Sequence, residues 1–207
     1  MDVAAAVVEV LKREGVQYLI GYPANPLFEA AAEAGIRPII ARQERTGIHM
    51  ADAISRVTSG DTIGVAATQF GPGIENAFGA VAQAYSESVP VLILPGGYPR
   101  PQANMEPRFS ALLNFQHVTK HIEQVNTPDT VLRAMRRAWT QVKNGRPRPV
   151  MVELPYDMFG DEVPGEIDYE PALRRVSAPN PADVDRVAAA LSKRSTRSSM
   201  PDGCPLR

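Results

Sequence analysis

Residues 38–53 read Pro38-Ile39-Ile40-Ala41-Arg42-Gln43-Glu44-Arg45-Thr46-Gly47-Ile48-His49-Met50-Ala51-Asp52-Ala53. The first four residues are apolar, which is typical of a short buried strand. After Glu44, apolar side chains recur at helical spacing, at Ile48, Ala51 and Ile54, which predicts an amphipathic helix. A carboxylate between a strand and the following helix lies at the edge where open α/β sheets bind their ligands. Glu44 is therefore the first candidate for a functional side chain.

Short apolar segments and amphipathic segments alternate along most of the chain. Apolar strands without polar alternation, separated by helices, indicate a parallel sheet that is covered on both faces. The sequence thus predicts an α/β fold with three layers, a parallel sheet between two layers of helices. Strands are predicted at 18–20, 38–41, 62–67, 89–94 and 149–154, and helices at 2–14, 26–34, 44–57, 73–86 and 129–142. Few clear signals occur over 95–126.

The composition limits the classes of partner. A chain of 207 residues with 44% hydrophobic residues can bury a full core, and its net charge of −1 argues against a nucleic-acid or anionic-membrane partner. The lone cysteine, Cys204, excludes an intrachain disulfide and a zinc site built from cysteines. This is consistent with a cytoplasmic location. No signal peptide is visible at Met1-Asp2, and no apolar run approaches the roughly 18 residues of a membrane span.

Two glycine-containing turns follow predicted strands. Gly21-Tyr22-Pro23-Ala24-Asn25 follows the first strand, with Asn25 as a candidate helix cap, and Gly71-Pro72-Gly73-Ile74-Glu75-Asn76 opens the helix at 73–86. Glycines allow the backbone to approach a ligand closely, and a helix N-terminus presents free N–H groups. No Lys-Ser/Thr pair follows the second turn, so it is not a phosphate-binding P-loop. Tight strand-to-helix turns without a ligand would also account for both.

Taken together, four blocks resemble the N-terminal, pyrimidine-binding domain of thiamine-diphosphate-dependent enzymes, in particular the acetolactate synthase-like group. The blocks are Gly21-Tyr22-Pro23, Glu44 with His49-Met50-Ala51-Asp52, the segment 71–91 that begins Gly71-Pro72-Gly73, and Arg148-Pro149-Val150-Met151-Val152-Glu153-Leu154-Pro155-Tyr156-Asp157. They occur in the family's order and cover about residues 1–175.

The resemblance implies roles for individual residues. Glu44 would be the catalytic residue, hydrogen-bonded to a ring nitrogen of the cofactor's aminopyrimidine, and the cofactor would carry the chemistry. The alternative is that Glu44 only complements a helix dipole. The helix at 73–86, rich in small residues, would lie in a dimer interface. The cofactor-binding positions would be Gly21, Tyr22, Pro23, Gly71, Pro72, Gly73 and Asn76.

The sequence also departs from the family's pattern. Gln43 and Arg45 replace the usual neighbours of Glu44, and Gln69 with Phe70 replaces small residues before Gly71, which could narrow the site. Ser110 stands where synthases commonly keep Gln, which argues against acetolactate synthesis. Three histidines, 49, 117 and 121, lack metal-ligand spacing. Of these, His49 is expected to be packed or hydrogen-bonded.

The family's second half-site has no counterpart in this sequence. Relatives bind the diphosphate through Mg²⁺ with a Gly-Asp-Gly motif, whereas Gly60-Asp61-Thr62 and Gly160-Asp161-Glu162 lack the following glycine. We therefore expect magnesium and diphosphate contacts to come from a missing domain or a partner subunit. An FAD requirement stays open. Basic residues at 193–199 favour a solvated tail over a binding arm.

A change of composition near residue 160 predicts the domain organisation. We predict a pyrimidine-binding domain over 1–175, a proline-containing linker over about 161–181, and, within 176–192, the first helix of a truncated middle domain. Residues 193–207 have no periodicity and are predicted to be a disordered tail.

Three functions remain open at this level. The chain could be the cofactor-binding domain of a 2-oxo acid carboligase or decarboxylase, a transferase or lyase. It could be the alpha-type subunit of a split decarboxylase of the sulfopyruvate or phosphonopyruvate type. The third alternative is a non-catalytic fragment that self-associates. In the first two cases a 2-oxo acid is the substrate, and the isolated chain is expected to be inactive.

Overall fold

The computed structural model describes residues 1–22, 25–103 and 105–193. Within these ranges the strands are β1 (Tyr18–Gly21), β2 (Arg37–Ile40), β3 (Gly64–Thr68), β4 (Val91–Gly97), β5 (His121–Gln124) and β6 (Val150–Pro155). The α-helices are α1 (Val3–Arg13), α2 (Leu27–Glu33), α3 (Glu44–Val57), α4 (Pro72–Ser86), α5 (Ala111–Phe115), α6 (Val131–Lys143) and α7 (Pro181–Ser192). The helices predicted from 44 and 73 and the five predicted strands are confirmed, with shifts of one to three residues at several ends.

The strands of the described residues form one parallel sheet in the order β2-β1-β3-β4-β6-β5. Two clusters of buried side chains cover its faces. One joins the sheet to α1, α2 and α6, and the other joins it to α3, α4 and α5. This arrangement confirms the predicted α/β fold with three layers. Because β2 and β3 flank β1 on opposite sides, the chain reverses direction across the sheet at β1 and β3, which is where doubly wound sheets form a ligand crevice.

The structure corrects the reading of residues 95–126 as irregular. This segment contains α5 and β5, and β5 pairs with β6 from His121 to Gln124. Strand β5 has only four residues, all half-buried, because it lies at the edge of the sheet. Its sequence therefore lacks the apolar run that marks the central strands.

The segment that precedes residue 176 also differs from the prediction of a linker starting near 161. Val163 and Tyr169 are buried, and Met1–Arg175 forms one compact unit. Glu14, at the end of α1, holds this segment. Its carboxylate accepts hydrogen bonds from the Tyr169 hydroxyl and the Ala172 amide and pairs with Lys143. The side chain of Glu14 is fully buried, so all of its polar contacts lie inside the protein.

Residues from Val176 onward belong to a second unit. Its described part contains α7, which confirms the predicted helix, and the side chain of Asn180 caps it by accepting from the amide of Ala182 at 3.0 Å. Apart from Lys193, the tail predicted over 193–207 lies outside the described residues. No helix in the described part of the chain is both long and apolar enough to cross a membrane.

Candidate active site

The crevice at the carboxyl ends of β1 and β3 is shaped by two glycines. A Cβ on Gly21, the last residue of β1, would overlap the carbonyl oxygen of Ala67 on β3. A Cβ on Gly47, in the first turn of α3, would lie 3.0 Å from the Cα of Gly21. Only glycine at both positions allows α3 to lie this close to the sheet. The close contact brings the N-terminus of α3, and with it Glu44, to the edge of the crevice.

Glu44 is the first residue of α3 and is buried, with 8% of its surface exposed. Its Oε2 atom accepts a hydrogen bond of 2.9 Å from Nδ2 of Asn76, in the second turn of α4. Within the described residues, Oε1 has no hydrogen-bond donor. The carboxylate is thus fixed through one oxygen and free to bind a ligand through the other.

The turn between β3 and α4 closes around this free oxygen. A Cβ on Gly73 would lie 3.2 Å from Oε1 of Glu44 and 2.8 Å from the Cβ of Gln69. Gly71 has a φ of +56°, and a Cβ there would lie 2.5 Å from the hydroxyl oxygen of Tyr98. The absence of side chains at these two glycines therefore lets the turn pack directly against Glu44 on one side and against Tyr98 on the other.

Asn25 has a larger role than the predicted helix cap. Its Oδ1 does accept from the amide of Leu27 at 3.0 Å, as a cap should. Its Nδ2 also donates to the carbonyl oxygens of Thr68 at 3.0 Å and Leu94 at 3.3 Å. Asn25 is 4% exposed and so joins the ends of β3 and β4 to the turn after β1. The Asn after a predicted strand was a visible signal, but its two distant acceptors were not.

The predicted binding residues do not all reach the same point. Glu44, Gly73 and Asn76 meet directly, and Gly71 and Pro72 lie in the same turn. Gly21 approaches this group through its contact with α3. Tyr22 follows β1 and is half-buried, and Pro23 lies outside the described residues.

Aromatic side chains, most of which the sequence reading passed over, lie on the other side of the turn. The Phe70 ring centroid lies 5.0 Å from that of Tyr98, which follows β4, and 5.7 Å from that of Tyr156, which follows β6. The guanidinium carbon of Arg108 lies 5.0 Å from the centroid of the Tyr98 ring. A signal did exist, since each tyrosine closely follows a predicted strand, Tyr98 after β4 and Tyr156 after β6.

A buried acid lies further along the same edge. Glu153, near the end of β6, is 5% exposed and accepts a hydrogen bond of 3.0 Å from Nε2 of Gln124. Burial raises the pKa of Glu153 to about 7, although the hydrogen bond from Gln124 acts in the opposite direction. A Cβ on Gly97 would lie 3.1 Å from the Cγ of Glu153, so the side chain packs closely against β4.

The histidines form no metal site. No group of three or more His, Cys, Asp or Glu side chains that could hold a metal occurs among the described residues. His49 was expected to be packed or hydrogen-bonded, but its side chain is exposed on the outer face of α3. His117 is also exposed, and His121 lies 3.3 Å from Glu123 on β5.

Comparison with known proteins agrees with this geometry. The profile of the family described as "Thiamine pyrophosphate enzyme, N-terminal TPP binding domain" matches residues 1–127, more than half of the chain. The chain belongs to this family. The cofactor that the family implies is thiamine diphosphate.

Similar proteins include several enzymes of the family. A probable acetolactate synthase large subunit of Methanocaldococcus jannaschii is 34% identical over 190 residues, which cover 89% of this chain and 30% of that protein. A glyoxylate carboligase of Escherichia coli O157:H7 is 32% identical over 83% of the chain and 30% of its own length. A 2-hydroxyacyl-CoA lyase 2 of Bos taurus is 34% identical over 74% of the chain and 25% of its own length. The chain thus spans about 30% of the first of these curated relatives.

The residues at the crevice fit the pyrimidine part of thiamine diphosphate. An aminopyrimidine offers ring nitrogens and an amino group, and Glu44 presents one carboxylate oxygen, Oε1, that has no donor among the described residues and lies close to the backbone of Gly73. Asn76 can hold the carboxylate in one orientation while the other oxygen accepts a hydrogen bond from a ligand. The described residues therefore place a buried carboxylate next to a glycine-containing turn.

Proposed function

We propose that this chain forms the pyrimidine-binding half of an acetolactate synthase-like enzyme that uses thiamine diphosphate to decarboxylate or join 2-oxo acids. The observation that carries this proposal is the Glu44 carboxylate, which is buried, is fixed by Asn76 through Oε2 and has no donor at Oε1 among the described residues. When bound, thiamine diphosphate supplies a thiazolium carbon that becomes a nucleophile once its proton is removed.

The residues of this chain act on the pyrimidine. Glu44 would hold a ring nitrogen of the bound cofactor at Oε1 and exchange a proton with it, and the cofactor would supply the base for the reaction. Asn76 keeps Oε2 occupied, so that the carboxylate does not rotate away. The Gly71–Gly73 turn lets the ring approach, and the buried position of Glu44 keeps water from competing for the same hydrogen bond.

The diphosphate half of the site, with its Mg²⁺, is supplied from outside these 207 residues. Two facts support this part of the proposal. The sequence has no Gly-Asp-Gly motif, and the chain spans about 30% of the relatives' length. The source is either a further part of a longer protein or a separate partner subunit, as in a split decarboxylase.

A comparison of two ligands tests the proposal. Thiamine carries the pyrimidine without the diphosphate, so saturation-transfer NMR of thiamine and of thiamine diphosphate with Mg²⁺ separates the two half-sites. We expect both ligands to bind the chain with similar, weak affinity. Glu44→Gln should weaken both by about tenfold, because a hydrogen bond to a charged group is lost. Glu75→Gln, an exposed acid in the first turn of α4, is the matched control and should change neither.

Other outcomes have clear meanings. Much tighter binding of thiamine diphosphate than of thiamine would show that the chain itself contacts the diphosphate. Binding that Glu44→Gln leaves unchanged would contradict the role of Glu44. If the folded chain binds neither ligand, the non-catalytic alternative replaces the proposal.

Self-association through the outer face of α4 completes the proposal. Phe78 is 38% exposed on this face, and nothing lies within 4 Å of a Cβ placed on the adjacent Gly79. Small and aromatic side chains on one helix face allow two helices to pack closely. Sedimentation velocity should show a dimer that Gly79→Leu weakens, whereas Val57→Ser, at an exposed apolar residue that ends α3, should leave it intact. A monomer at all concentrations would contradict this part.

A further inference from the structure

The carboxyl ends of three adjacent strands carry a group of aromatic side chains that the chemistry at Glu44 does not use. Phe70 follows β3, Tyr98 follows β4 and Tyr156 follows β6, and these strands are neighbours in the sheet. We call these three residues the aromatic wall. Its ring centroids are separated by 5.0 Å and 5.7 Å, with interplanar angles of 52° and 71°. Tilted and edge-to-face pairs of this kind are favourable arrangements of aromatic rings.

The aromatic wall is accessible. Phe70 and Tyr98 are half-buried, and Tyr156 is 40% exposed. Behind it, Phe159 is buried and packs edge-on against Tyr156 at 6.2 Å. A rigid aromatic surface with one open side can accept another ring in the same geometry.

One cation stands over this surface. Arg108 is exposed, lies above the Tyr98 ring and donates to the side chain of Gln102. In the part of the chain that the structure describes, Arg108 has no carboxylate partner. Arg100 differs in this respect, because it is paired with Asp157 at 2.9 Å and Asp161 at 2.7 Å. Arg108 is therefore the cation beside the aromatic wall that can bind an incoming carboxylate.

The position of the aromatic wall links it to Glu44. Gly71 lies against the hydroxyl of Tyr98, and Gly73, two residues later, lies against Oε1 of Glu44. One short turn thus separates the aromatic wall from the proposed pyrimidine site. A molecule bound at the aromatic wall would therefore lie one turn away from a cofactor held at Glu44.

We infer that the aromatic wall determines substrate specificity, and that with Arg108 it favours 2-oxo acids with an aromatic side chain over pyruvate. This inference rests on the function proposed above. A phenyl ring buries far more apolar surface than the methyl group of pyruvate and can also pair with Phe70 and Tyr98. Arg108 binds the carboxylate that both substrates share, so the preference comes from the rings.

Ligand-observed NMR on the 207-residue chain tests this inference without turnover. The probes are phenylglyoxylate and pyruvate, and thiamine is titrated in parallel samples. We expect saturation transfer to the ring protons of phenylglyoxylate and much less to the methyl protons of pyruvate. Tyr98→Leu should weaken phenylglyoxylate binding by about threefold to tenfold, which is the usual effect of losing an aromatic pair. Tyr98→Phe keeps the ring and should retain binding.

Arg108 is tested with a neutral probe. Arg108→Gln should weaken phenylglyoxylate but leave the binding of acetophenone, which has the ring without the carboxylate, unchanged. Tyr18→Leu changes an exposed aromatic residue at the start of β1, at the opposite end of the strands from Tyr98, and serves as the control for general effects. Melting temperatures show whether each variant is folded. If Tyr98→Leu does not fold, Phe70→Leu is measured in its place.

Different results would contradict the specificity inference and the proposed function. Equal saturation of phenylglyoxylate and pyruvate, or equal binding by Tyr98→Leu and Tyr98→Phe, overturns the specificity inference while thiamine binding is retained. If the unaltered chain does not bind thiamine, the proposed function is contradicted instead. A preference for phenylglyoxylate that disappears only when the ring at position 98 is lost supports the inference.

Discussion

Asn76 donates a hydrogen bond of 2.9 Å from its Nδ2 atom to Oε2 of Glu44. The bond joins the second turn of α4 to the first residue of α3 and decides which oxygen of the carboxylate can meet a ligand. Asn76 is therefore a positioning residue for Glu44.

Two substitutions of Asn76 test how the orientation of the Glu44 carboxylate affects thiamine binding. Asn76→Ala removes the donor and should weaken thiamine binding by about fivefold to tenfold. Asn76→Asp places a second carboxylate beside Glu44 and should weaken it further, since two like charges repel at this distance. Saturation-transfer NMR measures both effects. Gln83→Asp, on the same helix but exposed, is the charge-matched control. If Asn76→Asp binds thiamine as well as the unaltered chain does, Asn76 has no positioning role.

The stability of the protein should fall as the pH rises from about 4.5 to about 7 because of Glu153. Its pKa in the folded protein is about 7, above the value of 4.5 that represents the unfolded chain. The folded state therefore keeps this proton while the unfolded state has already lost it. Between about pH 4.5 and 7 this should reduce the free energy of unfolding by about 3 kcal/mol in total.

Urea unfolding of Glu153→Gln at several pH values measures this contribution. The variant stays neutral, so it should lose less stability than the unaltered protein as the pH rises, and the difference should level off above about pH 7. Glu123→Gln gives the opposite case, because the hydrogen bond from Arg137 lowers the pKa of Glu123. Its stabilising effect is present above the pKa of the unfolded chain and is lost as the pH falls. Parallel curves for Glu153→Gln and the unaltered protein would contradict the assignment.

Glycine substitutions should distinguish close contact from open space. Gly21→Ala forces a methyl group into the carbonyl of Ala67 and should destabilise the fold by about 3 kcal/mol or more, because backbone atoms must move. Gly79→Ala lies in the middle of α4 with nothing within 4 Å and should stabilise the chain by about 0.5–1 kcal/mol. Chemical denaturation gives both values. Equal effects at the two positions would show that the contact between α3 and the sheet is looser than described.

The buried carboxylate of Glu14 should be important for stability. Glu14→Ala leaves the Tyr169 hydroxyl and the Ala172 amide without their acceptor and removes the carboxylate that pairs with Lys143, so it should cost about 3–5 kcal/mol. Glu9→Ala removes a partly exposed ion pair with Arg13 on the same helix and should cost less than about 1 kcal/mol. Trypsin should also cleave after Arg174 and Arg175 faster in Glu14→Ala. Unchanged proteolysis would mean that other contacts hold this segment.

The sequence predicted the central part of the fold better than its edges. Apolar runs identified β1, β3, β4 and β6 because strands buried on both faces need such residues. The edge strand β2 was also identified from an apolar run, although its residues are only partly buried or exposed. The four half-buried residues of β5 were missed because an edge strand has no such requirement. The segment up to Arg175 was taken for a linker in part because its anchor, Glu14, lies about 155 residues earlier in the chain.

For the candidate site, the sequence predicted which residues lie there but not which of them contact one another. The position of Glu44 between a strand and a helix was enough to select it, and its partner Asn76 was named for the cofactor rather than for the carboxylate. The hydrogen bonds from Asn25 to Thr68 and Leu94 join residues 43 and 69 positions apart. Such pairings depend on how strands align, which local patterns do not specify.

The turn from Gly71 to Gly73 touches Tyr98 on one side and Glu44 on the other. A mutation that reshapes its backbone near Tyr98 is therefore expected to disturb the position of the Glu44 carboxylate as well. Substitutions at Tyr156 are expected to disturb Glu44 less, because Tyr156 contacts Phe70 from a separate loop after β6. Natural variation in substrate range among proteins with this turn is thus expected to accumulate first at the position of Tyr156 and last at the two glycines.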